Sequence, residues 1–448
     1  MAHRIQLAYW LCALVALAMG LALLAGRRLP SKWVRATSIF CVTVLVVKVV
    51  TTLVLLLRGT PGFDSDFAIF HAVGLDVLAG KNPYDPQLFA AHPILHPPSA
   101  FPVFALFALV PYVLGHVLWT LGNLALALGL VVLGAALLRR LDGATTPEVT
   151  RDELIVLTTA VLLSNTVNPA LAIGQMPIFA TALLFFAVYA ETAGRHVLAG
   201  VLLGLASVKV GTMVPFLLLF VRRGGRATWL SLGATVVGLS VMQGHPLLIP
   251  SEIRSELQAI KALAREGQVN DVSPANSMFP GIVGFDSLLY WLGVHDRAWI
   301  DVLKNAFVVA LGAWVAVQVL KKENGLPRSA ACVLVCLYTL VFLYHRNYDL
   351  VLLSVPLVFA VTALRDPRWE GGRRFFSAMG IVSLLAMYQY GKAATAIVSR
   401  TEGRGALGAV VRAMFVPLST WLVLAAIVLF ALGVRASGRL ATASSRAG

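Results

Sequence analysis

The chain has 448 residues, 58% of them hydrophobic and only 13% charged, about half the charged share of a soluble domain. With a mean hydropathy of +0.82 it reads as an integral membrane protein of many helical spans, which excludes an ordinary soluble enzyme. The formal net charge of +15 would suit a nucleic-acid binder, but the cations are gathered in clusters between apolar runs, so nucleic acid is set aside.

Taken in order, the apolar runs predict spans over Leu7–Ala25, Thr37–Leu57, Gly115–Leu138, Leu154–Ala172, Met176–Ala190, His196–Val210, Thr212–Val221, Ala227–Met242, Trp299–Leu320, Ala331–Tyr344, Leu350–Leu364, Phe375–Tyr390 and Phe415–Val434. The expected architecture is an all-α polytopic membrane protein of about 13 helices. The clusters Arg27/Arg28, Arg139/Arg140, Arg222/Arg223, Lys321/Lys322, Arg373/Arg374 and Arg435/Arg439 belong in the cytoplasm, which puts the N-terminus outside and the C-terminus inside. Residues 1–36 read as an added first span rather than a signal peptide, because the stronger positive cluster follows it. Residues 37–434 form the membrane domain and 435–448 a disordered cytoplasmic tail. Cys12, Cys41, Cys332 and Cys336 all lie inside apolar runs and read as packing residues.

On this topology the polar intervals 58–98, 165–175 and 244–298, with the tip His345–Asp349, fall on the outer side. In the first, Phe67, Phe70, Val73 and Val77 recur at helical spacing directly after Asp64 and Asp66. An aspartate before such a stripe is also a common cap, and the residues leave that role open for one of the two. The short apolar piece Phe101–Tyr112, bracketed by prolines, reads as a half-buried helix on the outer face; the alternative, left open by the sequence, is that it spans and that His196–Val221 is a single crossing. In the long loop Ile253, Leu257, Ile260 and Leu263 predict an amphipathic surface helix. Lys209 ends an apolar run, either as a snorkelling side chain or as a fixed cation for an anionic head group. His345 and Arg346 stand at a tight turn where they could meet a phosphate.

S-D-F…G-K-N-P-Y-D-P…H-P-P (Ser65–Pro98), A-I-G-Q (Ala172–Gln175), A-G-V-L-L-G-L-A-S-V-K (Ala199–Lys209), A-N-S-M (Ala275–Met278) and Y-H-R-N-Y-D (Tyr344–Asp349) occur in that order. Together they resemble glycosyltransferase family 87, the polyprenyl-phosphate-mannose-dependent mannosyltransferases of the type C membrane superfamily. The chain departs from that pattern at Met176-Pro177, where an Asn is expected, and at Pro215, which stands further from the lysine than in the family.

The resemblance implies an inverting transfer of a sugar, with mannose expected, from a polyprenyl-phosphate carrier to a glycan or glycolipid acceptor. The reaction would occur on the outer face of the inner (plasma) membrane. It implies Asp66 as general base, with Asp64 beside it. The mechanism this supports makes Lys209, His345 and Arg346 the candidates for the donor phosphate and places Gln175, Asn276, Ser277 and Asp349 along the substrate site, with His96 open as either a structural or a substrate-lining residue. No cofactor is expected, no metal ligand set is read, and metal dependence is left open. A carrier-linked donor needs no nucleotide pocket, and the sequence has no Gly-rich phosphate loop. Two rival classes stay open. One is a lipid flippase or transporter, which would place ionisable groups deep in the spans. The other is a glycan polymerase or ligase fed by an oligosaccharide carrier.

Overall fold

The computed structural model describes residues 2–58, 66–92, 94, 96–143, 146–221, 224–241, 258, 262–263, 265–268, 270–276, 279–321, 326–343, 345–389 and 391–447. Asp64, Ser277 and most of the helix expected over 253–263 lie outside these residues. The first half consists of α1 (Ala2–Leu24), α2 (Ser31–Leu57), α3 (Asp66–Leu78), α4 (Pro86–Ala91), α5 (Phe101–Ala108), α6 (Tyr112–Asp142), α7 (Arg151–Leu162), α8 (Val167–Ile173), α9 (Pro177–Thr192), α10 (His196–Ala206), α11 (Val210–Val221) and α12 (Arg226–Val241). The second half adds α13 (Phe285–Trp291), α14 (Arg297–Leu320), α15 (Arg328–Phe342), α16 (Ser354–Ala363), α17 (Arg373–Met387), α18 (Gly391–Thr401), α19 (Gly405–Phe415) and α20 (Leu418–Ala447). Beyond residue 438, in the segment expected as a tail, only the backbone of α20 is described. The sheet among the described residues is one two-stranded ladder, β1 (Ile282–Val283) antiparallel to β2 (His345–Arg346).

Among the described residues six stretches are long and apolar enough to cross a membrane, and eight if two bent pairs each count once. Several other segments expected as spans are shorter helices, such as α9 and α15. The stretch His196–Val221 is one of the six, yet it folds back on itself. Straight, it would be about 38 Å long at 1.5 Å per residue. Glu191, however, accepts from Thr228 Oγ1 at 2.7 Å and pairs with His196 Nδ1 at 2.9 Å, so the start of α10 and the start of α12 are side by side. Gly211, at the top of α11, lies against Leu343, and Phe216 packs on Phe185 midway down α9. The chain therefore reverses at Ser207–Lys209, close to the boundary expected between His196–Val210 and Thr212–Val221 and not as the single crossing that the sequence left open.

The arginine-rich ends of these helices gather on one face and are clasped by ion pairs. Arg35 meets Asp152 at 3.3 Å, Arg365 meets Glu153 at 2.9 Å, and Arg368 meets Asp366 at 2.6 Å and Asp142 at 3.3 Å. Asp142 also accepts from Ser329 N at 3.0 Å and Ser329 Oγ at 2.6 Å, tying α6 to α15. Thr150 and Glu153 form a reciprocal cap that starts α7 at the same face. Asp142→Ala should lower stability by about 1.5–3 kcal/mol, the worth of hydrogen bonds to a charged group, read as a lower thermal midpoint in nanodiscs.

Rising from that face, α9, α10 and α15 contain 16, 11 and 15 residues, about 16–24 Å of helix. The helices α2 and α6 contain 27 and 31 residues, about 40–46 Å. The short helices stop well below the tops of the long ones, and α3 and α5 pack into the space above them: Phe67, Phe70, Phe101, Phe104 and Trp119 form one apolar cluster with Met176, Ala180 and Val208 at the tops of the short helices. The stripe expected on α3 is buried as the spacing predicts, at Phe67, Phe70 and Val73. With eight residues, about 12 Å, α5 is too short to cross a bilayer.

Candidate active site

The first pair of site residues is brought together by a glycine. Gly174 ends α8 in the left-handed region at φ +75°, where an L side chain is strained, and its carbonyl accepts from Trp119 Nε1 at 2.8 Å. A Cβ at this position would sit 2.6 Å from Phe67 Cβ. Phe67 is itself stacked on His116, with ring centroids 4.8 Å apart. The turn thus locks the first turn of α3 and aims Gln175 at Asp66, whose carboxylate accepts from Gln175 Nε2. Asp66 is the first residue of α3, and its side chain turns to Gln175. Gly174→Ala should cost about 1–2 kcal/mol from backbone strain alone. It should also displace α3, so that transfer activity falls further than the thermal midpoint accounts for.

The second group is built on the apex of the α10–α11 turn. Lys209 Nζ donates to Asp349 Oδ1, and Asp349 Oδ2 is met by His345 Nδ1 at 3.1 Å and by the Arg346 backbone N–H at 3.0 Å. Asp349 and His345 are almost fully buried and the Lys209 side chain is 19% exposed, so the lysine is fixed rather than snorkelling. The bond to Asp349 sets the imidazole so that Nε2, buried and without a hydrogen-bond partner among the described residues, is the nitrogen left for a ligand. Pairing of His345 with Val283 and Arg346 with Ile282 in the β ladder holds the turn from above. The Tyr348 ring lies 5.3 Å from Lys209 Nζ, close enough for a cation–π contribution.

The two groups share one electrostatic environment. Burial raises the Asp66 pKa above the usual carboxylate range, opposed by the Gln175 hydrogen bond and by the Arg346 charge. The Arg346 guanidinium is therefore near enough to favour the carboxylate form of Asp66. His96 is held down to about 3, first by burial and then by the nearby Lys209 cation, against a smaller opposite effect of Asp349. It is neutral at physiological pH, edge-on to Phe70 and Phe104, with Nδ1 unpartnered. Ser99 Oγ donates to Ser207 O at 3.2 Å, fastening the His96-Pro97-Pro98 turn to the lysine apex. A carboxylate with raised proton affinity thus lies beside fixed cations and a histidine nitrogen. That arrangement can take a proton from an alcohol while holding an anion.

Asp66, Gln175, Lys209, His345, Arg346, Asp349 and His96 all come together at the end opposite the arginine-rich face. Gln175 and Asp349, expected to line substrate, are found holding the side chains of Asp66, Lys209 and His345. Asn276 Nδ2 donates to Asp271 O at 2.7 Å and braces its own loop. Asp64 and Ser277 fall outside the described residues. The Gly174–Trp119–Phe67 clamp and Tyr348 were not read from the sequence. A glycine directly before the glutamine was the available signal for the first. Also unforeseen were α18 and α19, which close this end between α17 and α20.

A family model described as Glycosyltransferase family 87 matches residues 95–344. No curated protein and no solved structure matches the chain.

Proposed function

The chain belongs to glycosyltransferase family 87, a membrane glycosyltransferase family, and from that premise we propose that it moves a single sugar, mannose, from a polyprenyl-phosphate carrier to a glycan or glycolipid acceptor. In this reading Asp66 takes the proton of the acceptor hydroxyl as its oxygen attacks the anomeric carbon. The bond from that carbon to the phosphate oxygen breaks, and both electrons leave with the polyprenyl phosphate. Lys209, His345 Nε2 and Arg346 neutralise the departing anion. Gln175 holds the base, Asp349 holds the lysine and the imidazole, and His96 lies beside them.

The observation that carries this reading is the separation of roles at one end of the molecule. Among the described residues Asp66 is hydrogen-bonded to Gln175, while the cations are organised around a different carboxylate, Asp349. A transporter would have no need of a base kept apart from an anion seat. These residues lie at the end remote from the arginine-rich face, and cationic loops mark the cytoplasmic side, which favours an extracytoplasmic reaction. A site at the tops of the short helices, below the tops of the long ones, suits a phosphate whose hydrocarbon tail stays in the membrane.

One displacement by an acceptor oxygen inverts the anomeric centre. With a carrier lipid of defined anomeric configuration, nuclear magnetic resonance of the product should show the opposite configuration. Retention would mean a covalent intermediate or another mechanism and would sink the single-base assignment.

A further inference from the structure

The helices α18 and α19 lie outside the residues matched by the family model and play no part in the chemistry above. α18 turns Ala394 and Thr401 inward and leaves Lys392, Thr395, Ser399 and Arg400 exposed. α19 does the reverse with its apolar residues. Gly408 faces the end of α18, where a Cβ would lie 2.5 Å from the Thr401 carbonyl, and Arg412 folds back to donate to the same carbonyl at 2.7 Å. Leu407, Val410 and Met414 point away and are 74%, 54% and 55% exposed. Their spacing of three and four residues is that of one helical face. Eleven residues make about 16 Å of helix, too short to cross the bilayer.

We infer that the α18–α19 hairpin is a membrane-interface anchor, with Leu407, Val410 and Met414 set among acyl chains and Lys392, Arg400 and Arg404 on anionic lipid head groups. A lipid surface is favoured over a protein partner by continuity. The stripe runs through Phe415, 47% exposed, into the outward side of the spanning helix α20, where Trp421, Val428 and Leu432 are exposed as well. Trp421 Nε1 donates to Ala413 O at 3.0 Å, joining the two helices at a level where tryptophan favours the membrane boundary. An apolar face flanked by exposed cations is the pattern of a helix lying in the plane of the interface.

The anchor is mechanically linked to the candidate site. Phe279, Ala394 and Val416 form one apolar cluster, and Gly391 packs against Pro280. Gly284 N donates to Thr420 Oγ1 at 3.1 Å. The segment so held contains β1, which pairs with His345 and Arg346. Where the proposed function holds, the hairpin fixes the strand beside the anion-binding residues to the lipid surface that delivers the substrate.

The test uses the full chain in nanodiscs and needs no turnover, so its outcome is independent of the reaction proposed. All four native cysteines are buried, which allows single spin labels at Leu407→Cys, Val410→Cys and Met414→Cys, with Thr395→Cys and Ser399→Cys as controls. At 407, 410 and 414 collisions with oxygen should exceed those with a water-soluble nickel chelate, and at 395 and 399 the order should reverse. In discs containing phosphatidylglycerol, adding R400Q/R404Q should reduce the seated fraction relative to the lifted one by about fivefold per charge. In zwitterionic discs it should change nothing. Nickel-favoured collisions at 407 and 410, protection from both reagents as under a protein partner or second copy, or indifference to the arginines in anionic discs would each overturn the anchor.

Discussion

Asp66→Asn is expected to lower turnover by about 10²–10⁴-fold, the usual contribution of a positioned general base, with donor binding nearly unchanged. Asparagine keeps the size and the hydrogen bond with Gln175 but cannot accept the acceptor's proton. The loss should therefore fall on kcat, and the thermal midpoint should hold or rise because a buried charge has been removed. The pH dependence follows from the same side chain. Burial raises its pKa, and a base acts only when deprotonated, so activity should be full above that raised value and decline as pH falls through it. Gln175→Leu removes a donor that favours the carboxylate form, so the acid limb of the profile should move to higher pH. An acid limb that stays in place in Gln175→Leu, with activity retained in Asp66→Asn, would assign the proton to another group.

Asp349→Ala should have the largest effect on the fold of any single site change. It strips the partner from Lys209 Nζ, His345 Nδ1 and the Arg346 N–H together. Removing one member of a buried ion pair costs about 3–5 kcal/mol, because the remaining charge stays desolvated. The expected results are a large drop in thermal midpoint and no measurable transfer. The combined variant Lys209→Met/Asp349→Leu separates the two consequences. Replacing both charges by apolar groups should restore most of the stability. The seat for the phosphate is still lost, so KM for the carrier lipid should rise. Recovery of wild-type KM in that variant would show the pair to be scaffold alone.

The individual elements of this fold were legible where one periodicity dominated. The apolar runs, the α3 stripe and the break between α10 and α11 all follow from spacing, and each of the four cysteines is free and buried, as residues inside apolar runs should be. Less legible was helix length as a device. Sequence shows that α9, α10 and α15 are short, but only their common origin on the arginine-rich face shows that they end together, beneath α3 and α5. The partners of the site residues are also tertiary facts. Asp66 and Gln175 are 109 residues apart and Lys209 and Asp349 are 140 apart, so no local pattern announces either pair. Gln175 and Asp349 are read from the sequence as lining substrate because they stand in the right stretches, and the structure adds the hydrogen bonds by which they hold Asp66, Lys209 and His345. The hairpin α18–α19 escaped because its apolar residues are too few for a span and its cations lie on the side where loops carry fewer of them.

The central claim is that a monosaccharide carried on polyprenyl phosphate is the donor. Purified protein in nanodiscs should be given radiolabelled polyprenyl-phosphate mannose and, separately, an oligosaccharide linked to a polyprenyl carrier, each with a lipid extract as acceptor. The account predicts that label from the first passes to acceptor with release of polyprenyl phosphate, that the second is not used, and that Asp66→Asn stops the transfer. Consumption of the oligosaccharide carrier with the mannose carrier left intact, or movement of either lipid across the bilayer without cleavage, would contradict it.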